Sequence, residues 1–134
     1  WCNINFANTY ANPLYYAKNL YLNNELATSI TIPSSVTELK PDVFHYCTSI
    51  TNVGFNSNTQ LTTIGNSAFA YCAGLTSITI PASVNKIGSV AFEDCVNLKE
   101  VIINAEVCDI NSYAFQNIGT NTEDGAIIFT EKMV

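Results

Sequence analysis

The sequence contains no arginine. Its basic residues are five lysines, scattered at Lys18, Lys40, Lys86, Lys99 and Lys132. Nucleic-acid binding rests on clustered cations, and arginine is the residue that forks onto phosphates and base edges. The composition therefore excludes that function class. Charge of either sign is scarce, at 12% of residues against roughly a quarter in an ordinary domain, and the formal net charge is −6. No apolar stretch approaches the ~20 residues that a membrane-crossing helix requires. No two cysteines stand in a C-x₂-C pair, so the local signature of a zinc site is missing. Glycine is too sparse, six in all, for a phosphate-cradling loop. No signal-peptide pattern opens the chain at Trp1. Neither end resembles a natural boundary, and we expect a piece of a longer protein.

What is present is apolar and repetitive. Hydrophobic residues make up 48% of 134 positions, enough for one buried core and the opposite of a disordered composition. Asn, Thr and Ser supply most of the polar surface. The phrase "GNSAFAYC" at 65–72 returns as "GSVAFEDC" at 88–95 and as "NSYAFQNI" at 111–118. Aligned on phenylalanine, Phe44, Phe69, Phe92 and Phe115 step by 25, 23 and 23 residues. Leu39, Ile64, Ile87 and Ile110 keep the same steps, and so do Ile50, Leu75 and Leu98. The longer unit carries its two extra residues in "NSNTQ" at 56–60, where the neighbouring unit has "PAS". An insertion confined to a loop is what a stacked repeat tolerates.

Each unit reads L-x-x-I-x-I-P-x-x-V-x-x-I-G-x-x-A-F-x-x-C, clearest at 75–95. The I-x-I alternation predicts a short strand with one inward face, at 30–32, 53–55, 78–80, 101–103 and again from Ile127. Pro33 and Pro81 close strand ends. Gly65 and Gly88 are expected at a turn, either with φ > 0 or as helix N-caps. A-F-x-x-C predicts one helical turn, with Phe92 and Cys95 three apart on one face. A single unit cannot close a core, but stacked units can. Residues 1–25 differ. Asn12-Pro13 predicts a helix start, and Asn23-Asn24 a tight hairpin turn with positive φ. Trp1, Ile4, Phe6, Leu14, Tyr15 and Leu20 are expected to cover the open end of the core.

Candidates for chemistry are few. Cys47, Cys72 and Cys95 share one repeat position, which Ile118 fills in the next unit. Stacking would place them about one coil spacing apart, but equivalent side chains point the same way, not toward each other. A small buried apolar filler with a free thiol is the expected role. Cys2 and Cys108 lie out of register and are expected free. His45 has Ala70, Glu93 and Gln116 as repeat equivalents, which predicts a variable surface residue with no nucleophile fixed beside it and Asp42. Glu93-Asp94, Glu123-Asp124 and Glu106/Asp109 read as solvated carboxylates, with at most a weak pull on calcium at Asp109, Glu123 and Asp124. Tyr10, Tyr15, Tyr16 and Tyr21 concentrate aromatics near the start, as a cover for the core or as a contact patch.

The segment "LTSITIPASVNKIGSVAFEDCVNL" at 75–98 resembles the Treponema pallidum type of leucine-rich repeat found in BspA-like surface proteins. The similarity spans about residues 26–118, and "NPLYYAKNLYLN" is similar to the N-terminal cap of that family. Lys40, Asn104, Asn111 and Ile118 depart from the pattern. The resemblance implies a strand-rich α/β fold: a right-handed leucine-rich-repeat solenoid with short parallel strands and one short helix per repeat. A helix and hairpin would cap it over 1–25, and four to five coils would fill 26–134, the last degenerate. It also implies a cell-surface or secreted protein that adheres to host or extracellular-matrix proteins. No enzyme activity, cofactor, metal or nucleic-acid partner is expected. The expected contact residues are the outward strand positions Ser29, Thr31, Asn52, Gly54, Ser77, Thr79, Glu100 and Ile102, with Ile128 continuing the stripe. The alternatives are a structural spacer without a ligand of its own and a glycan-binding module.

Overall fold

The computed structural model describes residues 1–2, 4–105 and 108–130. A 3-10 turn at Thr9–Ala11 and a helix α1 at Leu14–Ala17 open the chain. A two-stranded antiparallel hairpin follows, β1 (Tyr21–Leu22) and β2 (Glu25–Leu26). Asn23 and Asn24 turn it with φ of 52° and 65°. The rest alternates a longer and a shorter strand. The longer ones are β3 (Ser29–Ile32), β5 (Asn52–Phe55), β7 (Ser77–Ile80), β9 (Glu100–Ile103) and β11 (Ile127–Thr130). The shorter are β4 (Glu38–Leu39), β6 (Thr63–Ile64), β8 (Lys86–Ile87) and β10 (Asp109–Ile110). Each set forms its own parallel sheet, in the orders β3-β5-β7-β9-β11 and β4-β6-β8-β10.

The expectation of one short helix per repeat is wrong. Among the described residues, Leu14–Ala17 is the one α-helix, and every A-F-x-x-C segment is a run of turns. The reason lies in the backbone. Asp42, Ser67, Val90 and Tyr113 have positive φ, as do Tyr46, Tyr71, Asp94 and Asn117 four residues on. Left-handed residues interrupt a right-handed helix. They turn alternate amides along the stack. Phe44 N–H donates to Ala68 O (2.8 Å), Phe69 N–H to Ala91 O (2.8 Å) and Phe92 N–H to Ala114 O (2.7 Å). The amides between them close locally, as from His45 to Asp42 O and from Cys47 to Phe44 O. A helix would spend all of these donors inside one unit. Here half of them join one coil to the next. The fold is a strand-rich parallel β-solenoid.

Stacking lays like side chains over like. The Phe44, Phe69, Phe92 and Phe115 rings stack at 5.3, 5.2 and 5.2 Å, within 15° of parallel. Leu39, Ile64 and Ile87 are fully buried, as are Leu61, Val84, Leu75 and Leu98. Each such side chain contributes about 1.5–3 kcal/mol through burial. The last coil is barer, because its outer side has no neighbour among the described residues. Ile110 is 43% exposed, and Phe115 and Ile118 are only partly buried.

The N-terminal cap covers the first coil differently from the expectation. Leu14 and Leu20 are buried, but Trp1 and Ile4 are exposed, and so are Tyr10, Tyr16 and Tyr21. A cleft of about 260 Å³ remains between Trp1, Leu20, Ile32 and Phe44. The cap is pinned by polar contacts. Asn12 is fully buried. It donates to Asp42 O and accepts from Leu14 N–H at 2.9 Å. The Trp1 indole N–H donates to Val43 O at 2.6 Å.

Gly65 and Gly88 also serve a purpose other than the one expected. Neither has positive φ, and no helix follows either. A Cβ on Gly65 would sit 2.6 Å from Leu39 O and 2.8 Å from Pro41 N, in the backbone of the coil below. Glycine stands there because the coils approach too closely for a side chain. At Gly54 the nearest atom to such a Cβ is 3.6 Å away, an ordinary contact. Gly65→Ala should therefore lower unfolding stability by about 1–3 kcal/mol. Gly54→Ala should be neutral or stabilising by up to about 1 kcal/mol. Urea denaturation of both variants checks the contrast, and equal effects would contradict it.

Candidate binding surface

Parallel pairing sets the outward strand residues in rows. Ser29 lies opposite Asn52, Asn52 opposite Ser77 and Ser77 opposite Glu100. Thr31 lies opposite Gly54, and Thr79 opposite Ile102. Ser29, Thr31, Asn52, Thr79 and Glu100 are exposed, while Gly54, Ser77 and Ile102 are partly so. The structure thus brings all eight onto one face. Ile128 does not extend it. Its partner is Val101, in the inward register, and its 44% exposure belongs to the last strand of the stack.

The face is broken at one place. β3 pairs with β5 over four positions, but β5 pairs with β7 over only Asn52–Ser77 and Val53–Ile78. Elsewhere the residue after a strand continues the ladder: Asn56 N–H donates to Ile32 O (3.2 Å) and Asn104 N–H to Ile80 O (3.0 Å). Between β5 and β7 that position is Pro81, which has no N–H to offer the Phe55 carbonyl. The two-residue insertion at 56–60 follows directly. The strands part there and leave a groove of about 470 Å³ among Asn52, Phe55, Asn56, Ser77, Thr79 and Asn104.

The cysteine ladder has a polar role that the filler reading missed. All five cysteines are free thiols. Cys72 Sγ donates to Phe44 O and Cys95 Sγ to Phe69 O, each at 3.1 Å in the coil below. A small side chain with a weak donor thus fits a slot that Ile118 fills by bulk alone. Burial pushes the Cys72 thiol well above its ordinary value and Cys95 up to about 12. Neither forms the thiolate that metals and oxidants need. Among the described residues no group of three or more His, Cys, Asp or Glu side chains is placed to hold a metal ion. Glu106 lies outside the described residues. Glu123 and Asp124 are exposed, and Asp94 accepts from Asn117 Nδ2 at 3.0 Å.

His45 is not the surface residue that its repeat equivalents predict. It is 6% exposed, and its ring stacks on Tyr46 (4.8 Å) and Tyr71 (5.5 Å). Nδ1 lies 3.1 Å from Asp42 Oδ1, which also accepts from Thr9 Oγ at 3.1 Å. Nε2 is buried without a partner, so no nucleophile completes a triad. Around it, Tyr15 meets Tyr46 edge-on at 5.3 Å, and Lys18 Nζ stands 3.6 Å over the Tyr46 ring. Tyr15 therefore packs on the flank of the first coil, with Tyr10 and Tyr16 against it. Burial, then the Glu93 and Asp94 charges, raise the Tyr71 phenol to about 12.

Two measurements follow. Iodoacetamide at neutral pH should label Cys2 and Cys108 well before Cys47, Cys72 and Cys95, as read by peptide mass spectrometry; fast labelling of Cys72 in the native state would contradict the buried ladder. Burial also holds the His45 imidazole below its ordinary 6.5, against the opposing pull of Asp42. The unfolded chain then takes up a proton as pH falls through 6.5, while the folded chain stays neutral to lower pH. The stabilisation is complete above 6.5 and is lost as pH falls toward the lowered folded value. The Tm of the wild type should drop more between about pH 7.5 and pH 5 than that of His45→Gln. Parallel curves would exclude the effect.

No curated protein matches the chain. Two solved structures are similar. One is the pneumococcal vaccine antigen PcpA, with 27% identity and a TM-score of 0.57 over 68% of this chain and 28% of that one. The other is a leucine-rich cell surface protein from Faecalibacterium prausnitzii, with 23% identity and a TM-score of 0.56 over 78% of this chain and 32% of that one; at that identity it speaks for the fold alone. The chain spans about a third or less of each. The BspA type leucine-rich repeat region matches residues 16–128 in six copies. With the stacked register and the matched span together, the chain belongs to the BspA type leucine-rich-repeat family.

Proposed function

We propose that this solenoid is a non-catalytic protein-binding module of a cell-surface or secreted protein, and that it adheres to host or extracellular-matrix proteins through its outward strand face. One observation carries the reading. Parallel register holds Ser29, Thr31, Asn52, Ser77, Thr79, Glu100 and Ile102 on one rigid face with Gly54, and Glu100 is its one charged member. Such a face is rigid before contact, so little ordering entropy is lost on binding. The described residues contain no helix long and apolar enough to cross a membrane.

Size limits what the segment achieves alone. Four strands about 4.8 Å apart and four residues long present roughly 250 Å². A standard interface takes about 800 Å² from each partner. One segment should therefore bind weakly, and firm adhesion would need neighbouring coils or several copies at once.

The test is the domain displayed in many copies on beads, against fibronectin, other matrix proteins and mucins. Saturable binding to at least one protein is expected. Thr79→Lys and Ile102→Lys should each weaken it about tenfold, the effect of ~1.4 kcal/mol. No saturable binding, or binding indifferent to both substitutions, would overturn the adhesive reading and leave a spacer.

A further inference from the structure

We infer that the groove between β5 and β7, which shares Asn52, Gly54, Ser77 and Thr79 with the outward face, is a binding site for a neutral saccharide. The groove is a built feature of this one coil pair, since the other long-strand pairs run over four positions without opening. It arises where the repeat's own Pro81 faces the Phe55 carbonyl and where the loop insertion at 56–60 departs from the neighbouring unit.

Its chemistry selects the ligand class. No ionisable side chain lines it. The polar groups are amides and hydroxyls, among them Asn52, Asn56, Ser77 and Asn104. Phe55 and Pro81 add an apolar wall. A sugar ring presents this pairing, hydroxyls on its edge and C–H groups on its face. Asn104 Oδ1 has no hydrogen-bond partner within the protein, so no internal bond locks that oxygen in place. An amide offers a ligand both a carbonyl acceptor and an NH₂ donor. The Phe55 carbonyl, left without a ladder donor by Pro81, is a second acceptor at the same opening. At about 470 Å³ the space suits one or two sugar rings. The formal charge of −6 and Glu100 beside the groove oppose acidic sugars.

The experiment is saturation-transfer NMR on the intact domain. The probes are neutral hexose and N-acetylhexosamine oligosaccharides, with sialylated and sulfated counterparts. At least one neutral probe should bind, and its acidic counterpart should bind several-fold more weakly. Gly54→Val fills the groove from a position with room for a side chain, and should weaken binding at least tenfold. Asn104→Ala should weaken it severalfold by removing one amide. Ile102→Lys, outside the groove, should leave sugar binding unchanged while it impairs adhesion to protein, so the two readings fail separately. No transfer to any neutral probe, equal or tighter binding of acidic probes, or retention of binding by folded Gly54→Val and Asn104→Ala would overturn the site.

Discussion

The structure depends on one arrangement of backbone hydrogen bonds. In the turn segments around Phe44, Phe69 and Phe92, alternate amides point along the stack and donate to carbonyls of the next coil. Strand amides bond back to the coil before, as Asn52 N–H does to Thr28 O. Every interior coil is therefore both donor and acceptor to its neighbours in two directions. A coil in isolation would leave these groups to water and its inner side chains bare. The left-handed residues that turn the amides, Val90 among them at φ 51°, carry a steric cost. The shared ladder and the packed core offset it.

From that constraint the side chains follow. Coils spaced by backbone bonding must stack equivalent residues, which gives the phenylalanine column its spacing of 5.2–5.3 Å. Close spacing forbids a Cβ at Gly65. It also lets a cysteine thiol reach the carbonyl below. On the outside the same register aligns polar strand residues into a face without regard to their chemistry. Function can then reside in the variable positions, because the invariant ones are committed to holding the stack. Where the register fails, at Pro81, the surface gains a concavity that the regular coils lack.

Much of this was legible in advance, element by element. Period-2 alternation marked the long strands, since inward and outward residues must alternate on a pleat. The steps of 25, 23 and 23 marked the stacking. The turn at Asn23-Asn24 was readable because few residues accept positive φ. The A-F-x-x-C turn was not. Its spacing fits a helical face, and nothing local reveals that its amides go to another coil. The second sheet, of two-residue strands, was too short to show a period. His45 misled for a related reason. Its repeat equivalents are polar or small, but its own ring stacks on Tyr46 and Tyr71, and Tyr15 and Lys18 of the cap pack onto Tyr46. The groove was half legible, as an insertion and a proline, without a sign that they act at one point.

By itself the sequence determined the repeat, its length, which residues of β3, β5, β7 and β9 face inward and the absence of arginine and of a clustered basic footprint. These are set by composition and periodicity, which are local. Only the tertiary structure decided that the turns are not helices, that glycine answers to close approach, and that Asp42, His45 and Thr9 meet. It alone decided that β5 and β7 part beside Asn104. Each of these depends on contacts between coils some 23 or more residues apart, and a pattern within one coil does not contain them.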